Sequence, residues 1–113
     1  MELNRTEPDI LRDGSDIRCP GYNNENTHWW DGSQLYGSKE EVTQSLRTKL
    51  PDGKLTLDGL GAASFLPRDK QGNPQTGFNN NWWIGMEMFH TIFALEHNSI
   101  CDALKSAHPE MTG

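Results

Sequence analysis

Trp82-Trp83-Ile84-Gly85-Met86-Glu87-Met88-Phe89-His90-Thr91-Ile92-Phe93-Ala94-Leu95-Glu96-His97-Asn98-Ser99-Ile100-Cys101-Asp102-Ala103-Leu104-Lys105-Ser106-Ala107 is the strongest helical pattern in the sequence. Ile84, Met88, Phe89, Ile92, Phe93, Ile100, Ala103 and Leu104 spread over more than one narrow stripe of that helix. A helix apolar around much of its circumference is normally buried by neighbours on several sides. The rest of the sequence offers few helices to do this. The pattern therefore predicts a mainly α protein in which residues 82–107 form a long buried helix, covered by polypeptide beyond this chain.

Composition points the same way. The chain has 113 residues, of which 34% are hydrophobic, and its mean hydropathy is -0.76. Small domains bury a limited share of their surface, and a polar composition adds to that burden. The four tryptophans and the apolar C-terminal segment still argue for packing over disorder. One incomplete domain over residues 1–113, an internal piece of something larger, accommodates both facts. A net charge of -6 without a basic run argues against nucleic acid and anionic membranes. No stretch approaches the roughly 18 apolar residues of a membrane span. Met1-Glu2-Leu3-Asn4-Arg5 lacks the apolar core of a signal peptide, so no compartment is assigned. Cys19 and Cys101 have no spacing that marks a disulfide framework or a zinc site, and are read as free thiols.

Upstream of the long helix, residues 1–26 read as loop or extended chain, punctuated by Pro8, Gly14, Pro20 and Gly21. Residues 39–50 are expected to be helical. Ser38 and Glu41 have capping-box spacing, Val42, Leu46 and Leu50 share one face, and Pro51-Asp52-Gly53 ends the run. Residues 54–59 alternate like a short strand or hairpin arm, within a stretch, 54–81, that is mostly loop.

Two patterns suggest chemistry. In Thr27-His28-Trp29-Trp30-Asp31-Gly32-Ser33, the side-chain oxygens of Thr27, Asp31 and Ser33 fall on one side of a looped segment, with the Trp29 carbonyl between them. Calcium takes roughly six to eight oxygen ligands, so these residues form a candidate site that needs a further acid from elsewhere. An Asx-type turn around Asp31 is the alternative. The second pattern is Glu87-x-x-His90, which puts a carboxylate and an imidazole on one helical face, as in di-iron bundles. Those sites need a second such motif, which is missing. His90 and His97 lie two turns apart on one face, and with Asn98 and Asp102 suit a polar network that fixes helix packing. No phosphate loop, nucleophile elbow or C-x-x-C-H haem motif occurs.

Two blocks taken together identify a family. Trp29-Trp30-Asp31-Gly32-Ser33-Gln34-Leu35-Tyr36-Gly37-Ser38 resembles the calcium block of animal haem peroxidases and the W-W-D-x-S-x-x-Y-G block of α-dioxygenases. His90-Thr91-Ile92-Phe93-Ala94-Leu95-Glu96-His97-Asn98 is similar to the H-T-L-x-x-R-E-H-N helix of the same superfamily. The resemblance implies part of an animal-type haem-peroxidase helical domain with long loops. Residues 27–38 would be its calcium loop, with Thr27, Trp29, Asp31 and Ser33 as ligands. Residues 82–107 would be a helix on the distal side of haem b.

The resemblance also implies that the remaining calcium carboxylate, the distal and proximal histidines and any radical tyrosine lie outside residues 1–113. No catalytic residue is therefore assigned in this chain, and His90, His97 and Tyr36 receive no such role. Trp82 and Trp83 are expected near the haem. Asn79-Asn80-Asn81-Trp82-Trp83 lacks the arginine and haem-linking glutamate of the halide-oxidising peroxidases, which favours the α-dioxygenase and cyclooxygenase branch. The implied activity uses peroxide, O2 and a fatty-acid-like substrate: a tyrosyl radical removes hydrogen and O2 traps the carbon radical. This segment alone is expected to be inactive. The competing expectation is a non-catalytic calcium-binding or structural remnant of the same fold.

Overall fold

The computed structural model describes residues 22, 24, 26, 27, 30–80 and 83–113. The expectations for residues 1–21, among them Cys19, and for Trp29 and Trp82 lie outside these. Among the described residues the chain is mainly helical, with three α-helices, one 3-10 turn and no strand. The helices are α1 (Ser33–Tyr36), α2 (Glu40–Leu46) and α3 (Ile84–Ala107), and the 3-10 turn is Gly61–Ala63. No helix among the described residues is long and apolar enough to cross a membrane.

Helix α1 is a single turn between Gly32 (φ 66°) and Gly37 (φ 82°), both left-handed positions that favour glycine. The Thr43 hydroxyl donates to Tyr36 O at 2.8 Å, closing the elbow into α2. Helix α2 is shorter at both ends than the sequence suggests. Lys39 takes the N-cap position without a side-chain cap bond, so the expected Ser38–Glu41 capping box is not made. Glu40 and Glu41 instead supply negative charge to the first turn, where the helix dipole favours it. At the other end Arg47 is extended and bridges antiparallel to Leu55, so Leu50 lies beyond the helix and is 67% exposed.

Residues 47–74 form three consecutive bends, each closed by one isolated antiparallel bridge: Arg47 with Leu55, Asp58 with Phe65, and Arg68 with Pro74. Turn chemistry shapes the outer two. Asp52 Oδ1 accepts from the Thr48 hydroxyl (2.5 Å) and from Lys54 N (3.0 Å). Asp69 Oδ1 accepts from Gln71 N (2.9 Å) and Asn73 N (2.8 Å). Aspartates bonding backbone N–H groups further along the chain are how short loops satisfy their donors without a sheet. The strand-like alternation at 54–59 is absorbed into these bridges.

Leu35, Leu55, Leu66 and Ala94 form the buried core, with Tyr36, Leu46, Leu57 and Met86 packed against it. It joins α1, the bends and one face of α3. Gly77 makes a close approach: a Cβ there would collide with the Gly37 nitrogen and the Ser33 carbonyl of α1. Its own N–H donates to Leu35 O at 3.1 Å.

Helix α3 buries only Gly85, Glu87, His90 and Ala94 against this core. Ile84, Met88, Phe89, Ile92 and Phe93 are each more than half exposed, and Ile100 and Leu104 nearly so. Its outward surface is therefore apolar and exposed, where the sequence pattern led to the expectation of a helix buried over residues 82–107.

Candidate functional site

The loop before α1 gathers oxygen atoms. The Thr27 hydroxyl donates to the Asp31 carboxylate at 3.3 Å and lies 3.4 Å from Ser33 Oγ. Ser33 N donates to Asp31 Oδ1 at 3.0 Å, which is the Asx-type turn. The turn and the cluster are thus one structure: the turn aims the carboxylate and places Ser33 both in the cluster and at the start of α1. The backbone N–H and the hydroxyl of Ser33, with a smaller contribution from Thr27, hold the Asp31 carboxyl below its ordinary 3.8. The cluster opens onto a cavity of about 390 Å³ lined by Asn26, Thr27, Trp30, Asp31, Gly32, Ser33 and Gln34.

One carboxylate and two hydroxyls are hard donors, suited to calcium over soft metals, and could supply part of its coordination sphere. Trp29, the fourth expected ligand, is outside the described residues. No group of three or more histidines, cysteines or acids comes together among the described residues, so the di-iron arrangement has no counterpart there.

The two α3 histidines are engaged within the chain. His97 Nδ1 lies 3.1 Å from the Tyr36 hydroxyl and its Nε2 2.9 Å from Gly53 O, so both ring nitrogens have partners. Buried His90 meets the Thr76 hydroxyl through Nδ1 at 3.0 Å. Burial pushes its pKa below the ordinary 6.5, so the ring is neutral at neutral pH. Asn98 holds both backbone groups of Leu55, and Lys54 pairs with Asp102 at 2.5 Å. Cys101 is a free thiol. The sequence pattern offered α3 as a polar packing element, but nothing local to the helix named Tyr36, Gly53, Leu55 or Thr76 as partners.

A second cavity, about 410 Å³, runs along the outward face of α3. Phe65, Ile84, Met88, Ile92 and Leu95 supply its apolar wall. Arg68, ion-paired with buried Glu87, marks its polar edge. Sequence reasoning missed this pair, since Arg68 lies in a segment read only as loop. Trp83 stands at the N-cap of α3, 58% exposed, with its ring over Gly85 where any side chain would collide. The Asn79 amide turns inward and donates to Pro74 O at 2.8 Å. This face could line a large apolar group, but the imidazoles of His90 and His97 turn to partners within the chain.

The family model for animal haem peroxidase matches residues 1–113. The alpha-dioxygenase PIOX of Nicotiana tabacum is 45% identical over 91 residues, which are 80% of this chain and 14% of that protein. Prostaglandin G/H synthase 2 of Mus musculus is 31% identical over 108 residues, covering 82% of this chain and 18% of that protein. The crystal structure of the Oryza sativa fatty acid alpha-dioxygenase superposes with a TM-score of 0.68 at 38% identity, covering 88% of this chain and 16% of that one. The Arabidopsis thaliana fatty acid alpha-dioxygenase gives 0.69 at 35% identity, covering 82% and 14%. The chain thus spans 14% of the length of the first of these relatives.

Proposed function

We propose, from the premise that this chain belongs to the animal haem peroxidase family, that the complete protein is a haem-dependent fatty-acid dioxygenase. This segment would supply its calcium loop and a helix on the distal side of the haem. The observation that carries the reading is the similarity to the Oryza sativa fatty acid alpha-dioxygenase in both sequence and backbone over 88% of the chain. A single-substitution variant of that Oryza sativa dioxygenase has been solved with palmitic acid. A long-chain fatty acid and O2 are accordingly the proposed substrates, and haem b and calcium the proposed cofactors.

Haem b would supply the one-electron oxidising chemistry. The residues of this chain support it without ligating it. Ile84, Met88 and Ile92 offer an apolar wall that excludes water, and Trp83 stands at the N-cap of the same helix. Thr27, Trp29, Asp31 and Ser33 would hold calcium by oxygen donors, the remaining carboxylate coming from another part of the parent chain. The converging oxygens of Thr27, Asp31 and Ser33 support this part of the reading.

The test is to purify the full-length protein after expression with a haem precursor, record its visible spectrum, and measure O2 uptake with palmitic acid. A Soret band together with fatty-acid-dependent O2 uptake is expected. A folded protein without a Soret band would overturn the enzymatic reading and leave a structural remnant of the fold.

A further inference from the structure

Helix α1 begins at Ser33, a member of the oxygen cluster, and two side-chain bridges lead from α1 to α3. In the first, His97 Nε2 lies 2.9 Å from Gly53 O, an atom that only accepts, so Nε2 carries the hydrogen. The Cys101 sulfur, 3.5 Å from the same nitrogen, then acts as a weak acceptor. His97 Nδ1 lies 3.1 Å from the Tyr36 hydroxyl. In the second bridge the Thr76 hydroxyl donates to Gln34 O at 2.8 Å. Its single hydrogen is spent there, so at 3.0 Å it accepts from His90, whose Nδ1 carries the hydrogen. Each bridge thus joins α1 to an α3 imidazole through one hydroxyl.

These bridges add long-range side-chain bonds to a one-turn helix that the core also holds through Leu35 and Tyr36. Gly77 N and Phe78 N add backbone bonds to Leu35 O and Gln34 O, each 3.1 Å, and so fix the Thr76 segment to α1. Ordering Ser33 orders α1. An ordered α1 in turn holds α3 at His90 and His97, two turns apart.

We propose that cation occupancy of the Thr27–Ser33 loop sets the position of α3 through Tyr36–His97 and Gln34–Thr76–His90, with Tyr36, Thr76, His90 and His97 as positioning residues. The inference rests on the calcium reading of that loop. Coupling free energies are reciprocal, so weakening a bridge weakens calcium binding by the factor that calcium strengthens the bridge.

The experiment uses the full-length protein with calcium chloride. Calorimetry gives the affinity, and hydrogen-exchange mass spectrometry gives protection of residues 84–107 with and without calcium. Calcium is expected to protect 84–107 in the wild type. Tyr36→Phe, which removes one hydroxyl, is expected to bind calcium about threefold to tenfold more weakly, as loss of one hydrogen bond implies. The calcium-dependent protection of 84–107 should shrink with it. Thr76→Val should act likewise and Thr76→Ser restore the wild-type response, which separates positioning from simple loss of packing. Calcium binding with unchanged affinity and unchanged protection in Tyr36→Phe and Thr76→Val would overturn the coupling and leave the calcium site standing. A wild-type protein that binds no calcium would overturn the site and the coupling together.

Discussion

Asn98 grips Leu55 by both backbone groups: its amide nitrogen donates to Leu55 O at 2.9 Å and its oxygen accepts from Leu55 N at 2.8 Å. This is the pairing a neighbouring strand would give, supplied by one side chain of a helix. Leu55 is 7% exposed and part of the core, so the two backbone groups have little access to water. Asn98→Ala is expected to destabilise the full-length protein by about 2–4 kcal/mol, since two buried backbone groups lose their partners. Urea denaturation measures it; a change no larger than that of an exposed alanine substitution would count against the arrangement.

The Asp31 carboxyl lies below its ordinary 3.8 because Ser33 donates to it through backbone and hydroxyl. A lowered carboxyl contributes fully above its unfolded value and loses that contribution as pH falls through the folded one. Protonation of Asp31 should therefore leave calcium affinity, measured calorimetrically, level from about pH 7 to pH 5 and weaken it only at more acid pH. Asp31→Ala should abolish binding across the range. A wild-type affinity that already falls between pH 6 and pH 5 would assign binding to other groups.

His90 gives the opposite end of the pH scale. Its pKa is depressed by burial from 6.5, so the unfolded chain takes up a proton before the folded one does. Stability tied to His90 is full above 6.5 and declines as pH falls from there towards the lowered folded value. Thermal melts should show Tm falling between about pH 7 and pH 5, with a shallower slope in His90→Gln. Equal slopes would mean that other groups carry the acid sensitivity.

How much of this was legible depended on distance along the chain. The period of α3 repeats over 24 residues, long enough to survive local accidents. The oxygen cluster was legible too, because Thr27, Asp31 and Ser33 lie within one short loop. Helix α2 was overextended because the Ser38–Glu41 spacing was right, yet Lys39 took the cap and Leu55 drew Arg47 out of the helix. No local signal announces that bridge. The histidine partners were hidden for the same reason: Tyr36 and Gly53 are 61 and 44 residues from His97.

The exposed face of α3 makes a further prediction. Ile84, Met88, Ile92, Phe89 and Phe93 form continuous apolar surface on the 113-residue segment. Expressed by itself, the segment should bind a hydrophobic dye strongly and melt without a sharp transition, since exposed patches of this kind are normally covered. A cooperative melt with no dye binding would show that the segment closes its own core.

The three bends between Arg47 and Pro74 are each closed by their own bridge, so a residue added at one tip need not shift the others. The meeting of Gly77 with Gly37 and Ser33 allows no such freedom, because there backbone lies against backbone. Insertions and deletions during divergence should therefore collect at the tips of the bends and spare residues 76–78. Chain length can drift in the first region while the second keeps the geometry.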